Sequence, residues 1–268
     1  MRLKGIDDLG RDGYAFFPRS SMPDTYQVES FARPLDPPVR GFLHRPQAPN
    51  GNALVLTHSA GANAQAPLLV ALADTFSAKG FTVLRSNLPY RQTRSFGPPG
   101  PADAARDRAG LSNAVACLKE IVGAPLLAGL AERGDFPASA LDDSGGRIFL
   151  AGHSYGGRQA SMLAAEEPDL VTGLLLLSYP LHPPRRRDEQ RTQHLPDLRT
   201  PTLFVHGTRD PFGAVEELKR ATRMIPARTK LLEVEGAGHD LGFKGKGKKA
   251  ELAPLIFSEF AAFFALSS

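Results

Sequence analysis

Ser154, Asp210 and His239 carry the strongest chemical signal in this chain. Ser154 lies in Gly152-His153-Ser154-Tyr155-Gly156, after the apolar run Ile148-Phe149-Leu150-Ala151 and before a stretch of helical character. A strand turning sharply into a helix at such a segment holds the serine in a strained backbone and projects its hydroxyl, while the flanking glycines let strand and helix approach. The N-terminus of the new helix also favours negative charge nearby. A serine hydroxyl is a poor nucleophile until a neutral imidazole takes its proton, and a carboxylate must hold that imidazole in the useful tautomer. Both groups follow in the order serine, aspartate, histidine. Asp210 stands in Gly207-Thr208-Arg209-Asp210-Pro211, just past the apolar run Thr202-Leu203-Phe204-Val205-His206, where sites of open α/β sheets gather. His239 stands in the glycine-bearing loop Glu235-Gly236-Ala237-Gly238-His239-Asp240. Asp240 competes for the acid's role, but adjacent side chains on a loop seldom pair in that geometry.

Acyl chemistry at Ser154 would also need two backbone donors for the developing oxyanion, one from the residue after the nucleophile and one from the loop after an earlier strand. Tyr155 supplies the first. The segment Thr57-His58-Ser59-Ala60-Gly61-Ala62 supplies the second, with the Ala60 amide as the expected donor. Arg85, Arg91 and Arg158 fall near strand or helix ends on the expected site side and are candidates for binding an anionic substrate group; surface salt bridges are the commoner fate of arginines. His58, His182, His194 and His206 form no His-x-x-x-His or Cys-His pattern with nearby acids, so no metal site is expected. His58 and His206, at strand ends, are expected to support the two catalytic loops by hydrogen bonding.

The elements that must position these groups are short apolar runs separated by longer helical stretches, the pattern of a mostly parallel sheet with helices on both faces. Strands are expected at 25–31, 39–43, 53–57, 82–85, 147–151, 173–178, 202–206 and 230–234, with the first two an antiparallel pair at one edge. Helices are expected at 66–79, 102–121, 157–166, 214–224 and 250–266. In the last of these, Leu252, Leu255, Ile256, Phe260, Phe263 and Phe264 recur at helical spacing and read as a core face. The stretches 91–101 and 179–198 look irregular and read as candidate lids. Residues 1–24 show no strong periodicity and read as an N-terminal extension to one domain over 25–268.

Composition narrows the function further. The single cysteine, Cys117, rules out an internal disulfide and fits a reducing compartment. No leader-like apolar segment follows Met1, and the longest apolar run is well short of the roughly 20 residues of a membrane span, so a cytoplasmic chain is expected. The net charge of +4 and the clusters Arg185-Arg186-Arg187 and Lys244, Lys246, Lys248 and Lys249 read as solvated loop surface and not as a nucleic-acid site, because no aromatic residues interleave with them.

Taken together, the serine turn, the acid loop and the histidine loop resemble the α/β-hydrolase superfamily over residues 39–266. Within it, Thr57-His58-Ser59-Ala60-Gly61-Ala62-Asn63, Leu84-Arg85-Ser86-Asn87-Leu88-Pro89-Tyr90, Ser178-Tyr179-Pro180-Leu181-His182-Pro183-Pro184 and Gly236-Ala237-Gly238-His239 are similar to one dienelactone-hydrolase-like branch. That branch includes the hydrolase-like domain shared by a non-specific-lethal chromatin-complex subunit, a testis-expressed protein and bacterial homologues. The resemblance implies the α/β-hydrolase fold, a triad of Ser154, Asp210 and His239, and no cofactor. Dienelactone hydrolases proper usually carry cysteine where this chain has Ser154.

The expected activity is hydrolysis of a small-molecule carboxylic ester or thioester through an acyl-enzyme. A catalytically silent protein-binding scaffold is the alternative from another class, and the presence of all three triad residues argues against it. A peptidase or acyltransferase would use the same residues. Substrate identity and oligomeric state stay open.

Overall fold

The computed structural model describes residues 25–133, 146–183, 186–242 and 249–266. The expected extension 1–24, Arg185 and Lys244 to Lys248 lie outside them. An eight-stranded sheet runs through the chain in the order β1-β2-β4-β3-β5-β6-β7-β8. Its strands are β1 (Tyr26–Arg33), β2 (Val39–Pro46), β3 (Ala53–Thr57), β4 (Thr82–Asn87), β5 (Ile148–His153), β6 (Gly173–Leu177), β7 (Thr202–Gly207) and β8 (Thr229–Val234). β2 pairs antiparallel with both β1 and β4, and every other pairing is parallel.

The central strands are apolar along their whole length because both sheet faces are covered. Leu54, Leu56, Phe149, Ala151, Leu175 and Leu177 pack on one face against α1 (Pro67–Ala78) and α6 (Lys249–Phe263). Val55, Leu150, Leu174 and Leu176 face the opposite way, toward α3 (Asp103–Arg133), α4 (Tyr155–Glu166) and α5 (Val215–Thr222). In α6, Leu252, Ile256, Phe260 and Phe263 are buried, whereas Leu255 is 46% exposed and does not join the expected core face. The Phe149 and Phe260 rings meet with centroids 4.8 Å apart, tying that helix to the strand that carries the serine.

Two differences from the sequence reading matter for the site. The stretch 91–101 is preceded by, and overlaps, a short helix, α2 (Pro89–Thr93), with proline at its first position. The helix expected at 102–121 runs on to Arg133. Among the described residues no helix is long and apolar enough to cross a membrane.

Candidate active site

At the junction of β5 and α4, Ser154 has φ 53° and ψ −115°, a conformation that a residue with a Cβ rarely adopts. The surrounding bonds hold it there. Its amide donates to the Leu177 carbonyl at 2.8 Å, and its own carbonyl accepts the Arg158 amide at 2.9 Å. Serine ordinarily caps a helix with its hydroxyl, but Ser154 makes no such cap. The hydroxyl instead meets His239 Nε2 at 2.7 Å. Close approach of strand and helix requires the neighbouring glycines: a Cβ on Gly157 would stand 2.6 Å from the Gly152 carbonyl oxygen, and one on Gly156 would stand 2.5 Å from that of His58.

On the other side of the imidazole, His239 Nδ1 lies 2.8 Å from Asp210 Oδ2 and 3.0 Å from Oδ1. A carboxylate only accepts, so Nδ1 carries the proton and Nε2 is left to accept from Ser154. The Asp210 side chain is fully buried, and its Oδ1 also accepts the Phe212 amide at 2.9 Å. The Phe212 ring lies against His239 with centroids 4.1 Å apart. Asp240 lies next in sequence, yet both imidazole nitrogens are engaged by Asp210 and Ser154 and none by it.

Three further histidines fix the loops. His206 Nε2–H donates to the Gly213 carbonyl at 2.8 Å, closing the loop that carries Asp210. His153 Nε2–H donates to the His239 carbonyl at 2.8 Å, linking the serine turn to the histidine loop. At His58, Nδ1–H donates to the Ser59 carbonyl at 2.9 Å and Nε2 accepts the Leu88 amide at 3.1 Å. Burial pushes His58 and His153 down to about 4, so both are neutral at pH 7 and keep one donor and one acceptor nitrogen. The acid and histidine loops are also joined directly, by Arg209 N–H on the Ala237 carbonyl at 2.9 Å and by Gly236 N–H on the Thr208 side-chain Oγ1 at 2.8 Å.

The amides of Tyr155 and Ala60 donate to no other backbone group among the described residues. Their loops are adjacent, as the Gly156 to His58 approach requires. The Tyr155 side chain turns away from Ser154 and donates its hydroxyl to Asp107 Oδ2 at 2.8 Å.

The three arginines expected to bind an anionic substrate group take different places, and two of them are engaged within the protein. Arg85 is buried, donates to His44 Nε2 at 2.8 Å and to the Ala64 carbonyl at 2.5 Å, and stacks 4.8 Å from the Phe42 ring centroid. It braces the sheet and the start of α1. Arg91 is 8% exposed, and its guanidinium donates to the carbonyls of Ala60, Ala62, Arg94 and Gly97. Backbone carbonyls engage it where a substrate anion was expected. Arg158, in the first turn of α4, has a buried Nε with no hydrogen-bond partner among the described residues. No cluster of three or more metal-ligating side chains occurs among the described residues. Residues that the sequence reading left without a role here are Tyr90, Asp107, His153 and Phe212. Only His153 had a visible signal, being the variable residue before the serine.

A strained serine between β5 and α4, served by loops after β7 and β8 of a mostly parallel sheet, defines an α/β hydrolase. The family model for the alpha/beta hydrolase domain matches residues 124–258, and the chain belongs to that family. Among solved structures it is similar to a dienelactone hydrolase from Anabaena variabilis, with 19% identity, 89% of this chain and 98% of that one covered, and a TM-score of 0.63. It is also similar to Est1E from Butyrivibrio proteoclasticus, at 16% identity, 88% and 99% coverage and a TM-score of 0.58. A third similar structure is an alpha-beta serine hydrolase homologue from Coxiella burnetii, at 19% identity, 87% and 97% coverage and a TM-score of 0.57. At these identities the likeness is one of fold.

Proposed function

We propose that this chain is a serine hydrolase that cleaves a carboxylic ester or thioester of a small molecule through an acyl-enzyme. The observation that carries the reading is the continuous bond path from Ser154 Oγ to His239 Nε2 at 2.7 Å and from Nδ1 to Asp210 at 2.8 Å. His239 takes the hydroxyl proton as Ser154 Oγ bonds to the acyl carbon, and Asp210 stabilises the imidazolium that forms. The carbonyl electron pair moves onto oxygen, where the Tyr155 and Ala60 amides receive it. Collapse expels the alcohol or thiol, which leaves with the proton from His239. Water then attacks the acyl-enzyme, His239 takes its proton, and the acid departs as Ser154 recovers its hydrogen. The chain's own groups supply every proton transfer in this scheme.

The names of the structural relatives, a dienelactone hydrolase and a serine hydrolase homologue among them, agree with the reading. The finer likeness, to the branch with the chromatin-complex subunit and the testis-expressed protein, belongs to the same proposal and rests on the segments quoted above.

The test is hydrolysis of p-nitrophenyl acetate and of an acetyl thioester by purified protein. Ser154→Ala and His239→Ala should each lose about 10⁶ in kcat, and Asp210→Asn about 10⁴ because the imidazole is left in the wrong tautomer. Full activity in Ser154→Ala would overturn the mechanism.

A further inference from the structure

We infer that Tyr90 and Arg91 on α2, anchored by the buried Asp107, are positioning residues that hold the Ser59–Ala62 turn and with it the Ala60 oxyanion donor. The inference rests on the hydrolase reading above. Peptide groups are planar and trans, so a carbonyl and the next residue's N–H point in opposite directions. Whatever holds the carbonyls of Ser59 and Ala60 therefore sets the directions of the Ala60 and Gly61 amides.

Ser59 O accepts from His58 Nδ1 at 2.9 Å and from the Ala62 amide at 3.0 Å, with the Tyr90 hydroxyl at 3.4 Å. Ala60 O accepts from the Tyr90 hydroxyl at 2.8 Å and from Arg91 Nη2 at 2.9 Å. Ala62 O accepts from Arg91 Nε at 2.9 Å. Three of the four carbonyls of the turn Ser59–Ala62 are thus drawn toward residues 90 and 91 or the His58 ring, and the amides paired with them open the other way. Orienting four carbonyls at once is a task for the rigid five-donor fork of a guanidinium. A partly buried cation with no acidic partner among the described residues is a costly way merely to fill space.

The brace reaches the second donor as well. Asp107, buried on α3, accepts the Tyr90 amide at 3.1 Å on Oδ1 and the Tyr155 hydroxyl at 2.8 Å on Oδ2. The Tyr90 and Tyr155 rings meet edge to face with centroids 5.9 Å apart. One carboxylate therefore connects the helix that holds the Ala60 carbonyl to the residue whose amide is the other donor. Burial raises the Asp107 carboxyl, and the bonds from Tyr90 and Tyr155 oppose that rise.

The experiment measures kcat and KM for p-nitrophenyl acetate, the rate of phosphonylation by a fluorophosphonate, and the thermal midpoint, for wild type, Arg91→Ala, Arg91→Lys and Tyr90→Phe. Removing an oxyanion donor outright costs about 10²–10³ in kcat, so misaiming one in Arg91→Ala should cost about 10–100-fold. KM should stay within about twofold, phosphonylation should fall in parallel, and the inflection of the pH–rate profile should stay in place. Arg91→Lys should recover part of the loss. A raised KM at unchanged kcat would overturn the inference and return Arg91 to substrate binding. Where Arg91→Ala does not fold, Tyr90→Phe decides, with about a 3–10-fold fall in kcat expected by the same reasoning and an unchanged kcat overturning it. A wild type that reacts with neither probe would instead defeat the hydrolase reading itself.

Discussion

Ser154 shows how a single residue can be strained for a purpose. Its φ of 53° costs on the order of 1–3 kcal/mol for a side chain with a Cβ. Glycine would relieve that strain, while its extra freedom in the unfolded chain gives back about 0.5–1 kcal/mol. Ser154→Gly should therefore be more stable than Ser154→Ala by about 1 kcal/mol, though both are inactive; urea unfolding of the two variants measures the difference, and a less stable glycine variant would contradict the strain argument. That Ser154, Asp210 and His239 meet was legible in the sequence because each follows the C-terminal end of a strand, in chain order, and short side chains act close to where they are anchored. Arginine is different. Its position in the chain does not fix where its guanidinium goes, and Arg85 and Arg91 reach back to carbonyls that no pattern of spacing reveals.

At the scale of elements, the site is a meeting of loops after β3, β5, β7 and β8, held by contacts only glycine permits. A methyl on Gly156 would stand 2.5 Å from the His58 carbonyl oxygen and 2.7 Å from Thr57 Cγ2, pushing the serine turn away from the Ala60 loop. Overpacking of this kind typically costs about 1–3 kcal/mol. Gly156→Ala should lower the urea midpoint by a corresponding amount and slow phosphonylation of Ser154, and wild-type values for both would contradict the packing account. The strands were readable because parallel strands covered on both faces are continuous apolar runs bounded by turn residues. The five-residue α2 was not, being too short to show a helical period. Helix α3 continues past Gly123 and Pro125, residues that read as a stop when only local preference is considered. Leu255 sits at helical spacing yet faces solvent, because spacing shows which residues share a stripe and not how wide the covering surface is.

Across the whole molecule, buried neutral histidines couple the site to pH. His58 and His153 fall from 6.5 to about 4 on folding, chiefly through burial. Between those pH values the unfolded chain binds protons that the folded chain does not. Their contribution to stability is therefore complete above about pH 6.5, is lost as pH falls toward 4, and levels off below. Each histidine contributes a slope of at most about 1.4 kcal/mol per pH unit. Urea midpoints should fall steadily from pH 7 to pH 4.5, and a flat profile would contradict neutral burial of both rings. That dependence, the folded sheet and the braced loops all serve one arrangement at Ser154. The measurement that tests it most directly is reaction with a fluorophosphonate followed by peptide mass mapping. The account predicts one phosphonyl group on Ser154 in the wild type and none in Ser154→Ala or His239→Ala; an adduct on another residue, or an unreactive wild type, would contradict it.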